Sequence, residues 1–407
     1  MTILYLVDQS NFVSGAGIHT YVMDLYEAMK QSKSNVFILV IGEEHKTNNL
    51  YINTDFTVLN KSDKDLFKKF NHLVDEKQID IFHFHSIFDF KFQKKIVSKI
   101  KSLRKRVVLT IHNNTLLCYK GTMAYKNKRF CKDNSSLNRC NACLSDRHKF
   151  GSAIYLINII NRFLRISASN KFNYFELLQN FSDQTKYFLS QMDSIVVLDN
   201  WVLEYLSLSS DIKSKTVCIP QSVKLPLVSK DGNSTNKTLG KKLVYLGRTD
   251  LTKGLLLLIK AMKNIVGISL DCYIDVTDEK YFNKITKEVE ENKLNVKFFP
   301  LLDHSVLFER LLKYDLLCMP TFSEMSPLLS LEALSIKLPV LASDHPSFLS
   351  QAKFNKGIFT FKNGSTKSLH NKIKELSSSK SEDVEFNSLY EDNIIKYNNL
   401  YNSLLEL

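Results

Sequence analysis

Ser323-Glu324-Met325-Ser326-Pro327-Leu328-Leu329-Ser330-Leu331-Glu332-Ala333-Leu334 follows an apolar run, Tyr314 to Met319, and leads into Pro339-Val340-Leu341-Ala342-Ser343. Apolar strand, polar turn, helix start and a second apolar strand is the local order with which α/β sheets build a ligand crevice. Pro327 suits a first helical turn, where a missing N–H costs nothing. The unpaired amides and positive dipole end of that helix would face a diphosphate placed there. Glu324 and Glu332 stand eight residues apart, roughly 12 Å along a continuous helix. That exceeds the about 5–10 Å at which two carboxylates flank one glycosidic bond, so they are expected to hold different parts of one extended ligand. A helix start with a dipole-favoured Glu and an incidental second Glu gives the same pattern and stays open at this point.

Outward from this stretch, strand and helix patterns alternate along all 407 residues. Strands are predicted near 2–7, 36–41, 80–85, 106–111 and 193–198 in the first half, and near 215–219, 242–246, 269–275, 294–298, 314–319, 338–342 and 357–361 in the second. This is the pattern of two doubly wound parallel sheets, an α/β fold. The polar run Lys230 to Gly240 lies in the break. We expect an N-terminal domain over 1–208 with a Cys-rich basic insertion at about 113–150, a C-terminal domain over 209–385, and a final helix over 386–407 packing back on the first domain. Ile394, Ile395, Tyr397, Leu400, Tyr401 and Leu404 form the apolar face of that helix.

Leu243-Val244-Tyr245-Leu246-Gly247-Arg248-Thr249-Asp250-Leu251-Thr252-Lys253-Gly254 is a second chemical motif. Arg248 and Lys253 follow an apolar strand and precede a helix. Arg forks onto phosphate oxygens and Lys supplies a point charge against a departing anion. A solvated loop with two cations is the plain alternative. In the first half, Ser14-Gly15-Ala16-Gly17 opens the first helix, where small residues let backbone amides approach a ligand. It lacks the six-position dinucleotide fingerprint, so a nicotinamide cofactor does not follow. Asp80-Ile81-Phe82-His83-Phe84-His85 puts two histidines on one strand face; polar contacts at the strand end are the better reading than metal, since no third ligand is near in sequence. Val107-Val108-Leu109-Thr110-Ile111-His112-Asn113 ends a buried strand on a histidine, where α/β enzymes place working residues.

Taken in order, these motifs resemble glycosyltransferase family 4, whose Glu-x7-Glu signature matches Glu324 and Glu332. The resemblance spans roughly residues 1–365. It implies the GT-B architecture, two facing Rossmann-like domains with a crossover helix, and a retaining transfer of a hexose from a nucleotide-diphosphate sugar, such as a UDP-sugar, to an acceptor hydroxyl. It implies catalytic roles for His112, Arg248, Lys253 and Glu324. Gly15, Gly17, Arg248, Lys253, Glu324, Leu328, Leu329 and Glu332 would bind the donor, with Arg248 and Lys253 clamping the diphosphate and Glu332 on the ribose. Catalysis is expected to need no cofactor, because Arg248, Lys253 and a helix N-terminus would stabilise the departing diphosphate. The pattern departs at Met325-Ser326-Pro327, where relatives carry Gly, at Lys337-Leu338, at Gln221-Ser222 and at Asn113, where they often carry Asp.

The formal charge is +13, and residues 101–150 hold twelve Lys or Arg against two Asp or Glu. Lys120, Lys126, Lys128, Arg129 and Lys132 crowd one loop. They suit a phosphate-bearing acceptor, such as a lipid-diphosphate-linked glycan, or an anionic membrane surface. Nucleic acid is excluded as a partner by the lack of any recognition motif with interleaved aromatics. Ala153 to Arg165 is apolar with terminal Arg and fits either a membrane surface or a buried helix. The first residues read as a strand rather than a signal peptide, and no apolar run reaches the roughly 20 residues of a span. A cytoplasmic protein is expected, on the inner face of the plasma membrane if the basic loop meets lipid, acting in cell-surface polysaccharide or glycoconjugate synthesis. Cys118, Cys131, Cys140 and Cys143, spaced C-x12-C-x8-C-x2-C, admit a structural zinc, with free thiols and disulfides as alternatives. Three other functions share the architecture: a sugar-nucleotide epimerase, a protein O-glycosyltransferase and a non-catalytic partner subunit. Isomerisation without acceptor would single out the first, and nucleotide binding without turnover the last.

Overall fold

The computed structural model describes the chain apart from residues 13–16, 43–54, 86–89, 147–155, 158, 161–173, 207–208, 225–238, 303, 380–382 and 407. Gly15, most of the apolar segment 153–165 and most of the polar run 230–240 lie outside the described residues. The chain divides into two compact units. The first is Met1–Tyr119, Phe175–Gln221 and Tyr390–Leu407; the second is Lys120–Tyr174 and Ser222–Leu389.

Seven parallel strands build the first unit: β1 (Thr2–Asp8), β2 (Asn35–Gly42), β3 (Phe56–Asn60), β4 (Ile81–Phe84), β5 (Arg106–Ile111), β8 (Ser194–Val197) and β9 (Thr216–Cys218), in the order β3-β2-β1-β4-β5-β8-β9. The short hairpin of β6 (Ala124–Tyr125) and β7 (Arg129–Phe130) belongs to the second unit. Residues Thr2–Val7 of β1 are all buried, as expected of a strand covered on both faces, where apolar runs replace alternation. Helix Gly17–Gln31 buries Val22, Leu25, Tyr26 and Met29 on one stripe against that sheet.

The second unit carries β10 (Lys242–Arg248), β11 (Ser269–Asp275), β12 (Val296–Pro300), β13 (Leu316–Met319), β14 (Val340–Ser343) and β15 (Ile358–Phe361), all parallel, in the order β12-β11-β10-β13-β14-β15. Period-two alternation sorts its core into two layers. Leu243, Tyr245, Leu270 and Cys272 face helices Leu255–Ala261, Glu279–Glu291 and Thr366–Ser378. Val244, Tyr273, Leu317 and Val340 face helices His304–Leu311, Leu328–Ser335 and Pro346–Gln351. In both units the strand order reverses beside the first strand, between β1 and β4 and between β10 and β13. Such a reversal opens a crevice at the carboxyl ends of the strands.

Three boundaries differ from the sequence expectation. The run 215–219, read as the start of the second domain, is β9 and pairs with β8 through Ile195↔Thr216 to Val197↔Cys218. Backbone pairing thus moves the end of the first unit from 208 to Gln221. The basic insertion, read as part of the N-terminal domain, groups with the second unit from Lys120 onward, because its hairpin hydrogen-bonds to the turn after β15. Strand β3 had no sequence signal we recognised, since Phe56-Thr57-Val58-Leu59-Asn60 buries one side chain fully.

The final helix does pack on the first unit. It spans Tyr390–Leu405 rather than starting at 386, and puts Tyr397, Tyr401 and Leu404 into the core with Ile3, Tyr5 and Val22. Asn393 Nδ2 donates to the Pro220 carbonyl at 2.6 Å. Ile395, expected on the apolar face, is 58% exposed. Tyr401 Oη is 2.7 Å from His83 Nδ1 in full burial. Tyr401→Phe should therefore lower stability by about 1–3 kcal/mol, the cost of stripping a buried polar group of its partner, read as a shifted urea midpoint with an unchanged slope.

Candidate functional site

The reversal of the second sheet brings two loops together that are remote in sequence. β10 ends at Arg248 and β13 at Met319, and the strands are neighbours. After β10, Asp250 accepts from the Thr252 N–H at 2.9 Å and turns the chain into the short helical turn Leu251–Lys253. Gly254 then adopts φ +73°, and a Cβ there would lie 2.1 Å from the Pro320 carbonyl oxygen. Only glycine allows both the left-handed backbone and this approach. The Thr252 carbonyl accepts from the Phe322 N–H at 2.8 Å and from the Thr321 hydroxyl at 3.0 Å. The backbone before Glu324 is thus held against the backbone before Lys253.

That scaffold fixes a charge pair. Lys253 Nζ lies 2.5 Å from Glu324 Oε1, with the two side chains 28% and 16% exposed. Arg248 stands at the same sheet end with its guanidinium 3.4 Å from Asp250 and its side chain 61% exposed, open to a ligand. The sequence-predicted residues Arg248, Lys253 and Glu324 are therefore gathered. Glu332 is separate in kind: it is buried in the second turn of helix Leu328–Ser335. Glu324 lies in the loop before that helix, so the continuous-helix spacing of the two carboxylates does not apply. Pro327 is the N-cap rather than the first helical residue, and no side chain caps this helix. Its carbonyl accepts from the Ser330 hydroxyl at 2.8 Å and from Gln351 Nε2 at 3.0 Å, which anchors the helix start. Leu328 is buried and Leu329 half-buried beside it.

In the first unit, His112 follows β5 and meets His85: Nε2 to Nδ1 is 3.1 Å. His83 lies beside His85 with ring centroids 4.0 Å apart, so the pair does share a strand face. His83 Nε2 is 2.7 Å from the Thr110 hydroxyl and its Nδ1 meets Tyr401. Tyr21 packs its ring edge on His112 at 4.8 Å and touches Tyr397 Oη with its own hydroxyl. Burial pushes the His83 and His85 imidazoles well below their ordinary range and His112 down to about 3. All three are neutral at pH 7, so His112 is a hydrogen-bonding group there and not a cation. The tyrosines of this network were missed in the sequence because Tyr397 and Tyr401 arrive from the far end of the chain. Gly17 starts its helix, and among the described residues nothing lies within 4 Å of a hypothetical Cβ there.

The insertion carries the four cysteines and the five cations singled out in the sequence. Cys143 Sγ receives the Lys126 N–H at 3.2 Å, the Cys131 thiol donates to the Asp133 carbonyl at 3.2 Å, and the Cys140 thiol donates to the Asn134 carbonyl at 3.7 Å. With contacts spread this way, no group of three or more His, Cys, Asp or Glu among the described residues is placed to hold a metal. No cysteine forms a disulfide. Of the five predicted cations, Lys120 is turned inward onto Asn127 Oδ1 at 2.7 Å and Lys126 pairs with Asp146 at 3.1 Å. Lys128, Arg129 and Lys132 are exposed. Among the described residues no helix is long and apolar enough to cross a membrane.

The architecture defined by these two parallel-sheet units is GT-B, and solved structures of that fold superpose over the whole chain. Sucrose-phosphate synthase from Thermosynechococcus elongatus matches with TM-score 0.65 and 14% identity, covering 100% of this chain and 99% of that chain. Anabaena HepE in complex with UDP-glucose matches with TM-score 0.64 and 12% identity, covering 100% of each chain. The catalytic domain of starch synthase IV from Arabidopsis thaliana, bound to ADP and acarbose, matches with TM-score 0.62 and 11% identity, over 100% of this chain and 99% of that chain. Residues 230–391 match the family model described as Glycosyl transferases group 1, a span containing Arg248, Lys253, Glu324 and Glu332. No curated protein matches the sequence.

The neutral histidines make the first unit sensitive to acid. Unfolded, each takes up a proton near its ordinary 6.5, while the folded chain holds His112 neutral down to about 3. The unfolded state therefore binds more protons in this window, and stability falls as pH drops. The melting temperature should decline steeply from pH 6.5 towards 4, and the decline should flatten in His85→Asn, as followed by calorimetry.

Proposed function

We propose that this protein is a retaining glycosyltransferase resembling family 4, which moves a hexose from a nucleotide-diphosphate sugar to a glycan hydroxyl. The observation that carries this reading is the Lys253–Glu324 pair at the reversal point of the second sheet, with Arg248 beside it. The neighbours solved with UDP-glucose or with ADP support a nucleotide-sugar donor.

In this reading Arg248 and Lys253 hold the diphosphate, together with the uncapped amides at the start of helix Leu328–Ser335. Glu324 orients Lys253 and meets the sugar, Glu332 takes the ribose hydroxyls, and neutral His112 hydrogen-bonds the sugar. Gly17, Leu328 and Leu329 line the donor. As the bond from the anomeric carbon to the phosphate oxygen breaks, the acceptor oxygen bonds that carbon on the same face. The acceptor proton passes to the departing phosphate, whose charge the two cations offset. No cofactor takes part in this sequence.

The acceptor is a lipid-diphosphate-linked glycan in cell-surface polysaccharide synthesis, and the protein works at the inner face of the plasma membrane. Exposed Lys128, Arg129 and Lys132 would meet phosphate. Leu156, Ile157 and Ile160 of the neighbouring segment are 50–56% exposed and would meet the lipid interface. Binding to anionic vesicles should weaken with salt, since exposed charges are screened within roughly 8–10 Å at physiological ionic strength.

A screen of nucleotide sugars with lipid-linked acceptors, analysed by mass and anomeric configuration, tests the reaction. Arg248→Ala and Lys253→Ala should each lower turnover by about 10²–10³ with the fold intact, the scale of removing one charge-stabilising donor. Glu332→Ala should chiefly weaken nucleotide binding. Wild-type rates in both cation variants would overturn the assignment.

A further inference from the structure

Asn363 sits in the turn after β15 and spends its whole side chain on groups outside that turn. Its Nδ2 donates to the Phe322 carbonyl at 3.1 Å, to the Thr321 carbonyl at 3.3 Å and towards the Ser343 hydroxyl at 3.2 Å. Its Oδ1 accepts the Phe130 N–H of the hairpin at 2.8 Å. Its own N–H is fixed by Asp344 Oδ1 at 2.7 Å. Thr321 and Phe322 are the residues that the Thr252 carbonyl grips from the other side, next to Lys253. The Ser343 hydroxyl also donates to the Thr321 carbonyl at 2.7 Å. The segment preceding Glu324 is thus clamped between Thr252 and Asn363.

The hairpin is seated closely on the same turn. Gly364 adopts φ +76°, and a Cβ there would lie 2.2 Å from the Lys128 carbonyl oxygen. The Phe130 ring stands edge-on to buried His345, centroids 4.3 Å apart. Lys128 and Arg129, exposed cations, belong to the hairpin strand and loop that carry these contacts. One amide side chain therefore joins a cationic hairpin to the loop bearing Glu324.

We propose that Asn363 is a positioning residue that couples the basic hairpin to the Lys253–Glu324 pair, so that the seating of the hairpin sets the position of Glu324. Its kinetic consequence rests on the glycosyltransferase reading above, whereas its mechanical consequence does not. An ångström of misplacement at a reacting centre costs up to about 10²-fold in rate, so kcat should fall far more than the donor KM rises when the clamp is loosened.

The test uses three full-length variants. Asn363→Ala removes both halves of the bridge. Asn363→Asp keeps an acceptor for Phe130 but sets a carboxylate against two carbonyl oxygens. Gly364→Ala unseats the hairpin while leaving Asn363 in place. Hydrogen exchange should rise about tenfold, the equivalent of one lost hydrogen bond, at residues 319–326 in all three. At the Phe130 amide it should rise in Asn363→Ala and Gly364→Ala and change less in Asn363→Asp. Steady-state assays with UDP-sugars, well below each melting temperature, should show kcat reduced by about 10–10² with donor KM within a few-fold of the parent. Unchanged exchange at 319–326 in folded Gly364→Ala overturns the coupling, as does full kcat in Asn363→Ala. If the parent turns over no UDP-sugar, the catalytic reading fails by itself, and the exchange data still decide the coupling.

Discussion

The contact between Lys253 and Glu324 depends on one topological constraint: β10 and β13 must be neighbours although the two residues are 71 positions apart. Right-handed crossovers place the helices between these strands on both faces of the sheet and leave its carboxyl edge clear at the reversal. Once the strands pair, the loops after them have to share a narrow space. Gly254 resolves that conflict by offering no Cβ to the Pro320 carbonyl. The short Thr252 contacts then set the reach of both side chains. An ammonium and a carboxylate held this way, partly shielded from solvent, attract more strongly than an exposed pair would. Neither loses its counter-charge before a ligand arrives. Lys253 is thus already oriented by its carboxylate.

Much of this was legible in the sequence because it is local. Strand-sized apolar runs, the strand-to-helix turns after Leu246 and Met319, and the cations and carboxylates in them are all set by near neighbours in the chain. Period-two sorting of β10 into Leu243 and Tyr245 on one face and Val244 on the other follows directly from the apolar pattern. What was not legible depends on pairing at a distance. Thr216-Val217-Cys218 reads equally well as the first strand of one sheet or the last of another, and only its hydrogen bonds to β8 decide. The insertion follows His112 in sequence, yet Asn363 and Gly364 claim its hairpin from more than two hundred residues away. The spacing of the four cysteines says nothing of their direction. In the fold the thiols of Cys131 and Cys140 and the sulfur of Cys143 serve nearby backbone groups.

The first unit shows the same limit in its buried polar network. His83, His85 and His112 come from adjacent strands, but the hydroxyl that meets His83 Nδ1 comes from Tyr401. A neutral imidazole must donate with one nitrogen and accept with the other. Tyr401 and Thr110, each able to do either, meet both nitrogens of His83. The terminal helix is thus more than a cover of apolar residues. It completes the hydrogen bonding of His83, which ties the far end of the chain to His85 and, through it, His112.

The two units consequently differ in electrostatic character. Burial keeps the histidines of the first unit neutral, whereas Arg248, Lys253 and Glu324 of the second are charged groups with some access to solvent. The exposed cations of the hairpin move with the second unit as well, since Phe130 and Lys128 are seated on the Asn363–Gly364 turn. Positive charge that the sequence order assigned to the histidine-bearing unit is therefore carried by the unit that also holds Glu324. The hairpin and the Lys253–Glu324 pair thus belong to one unit and are joined through the Asn363–Gly364 turn.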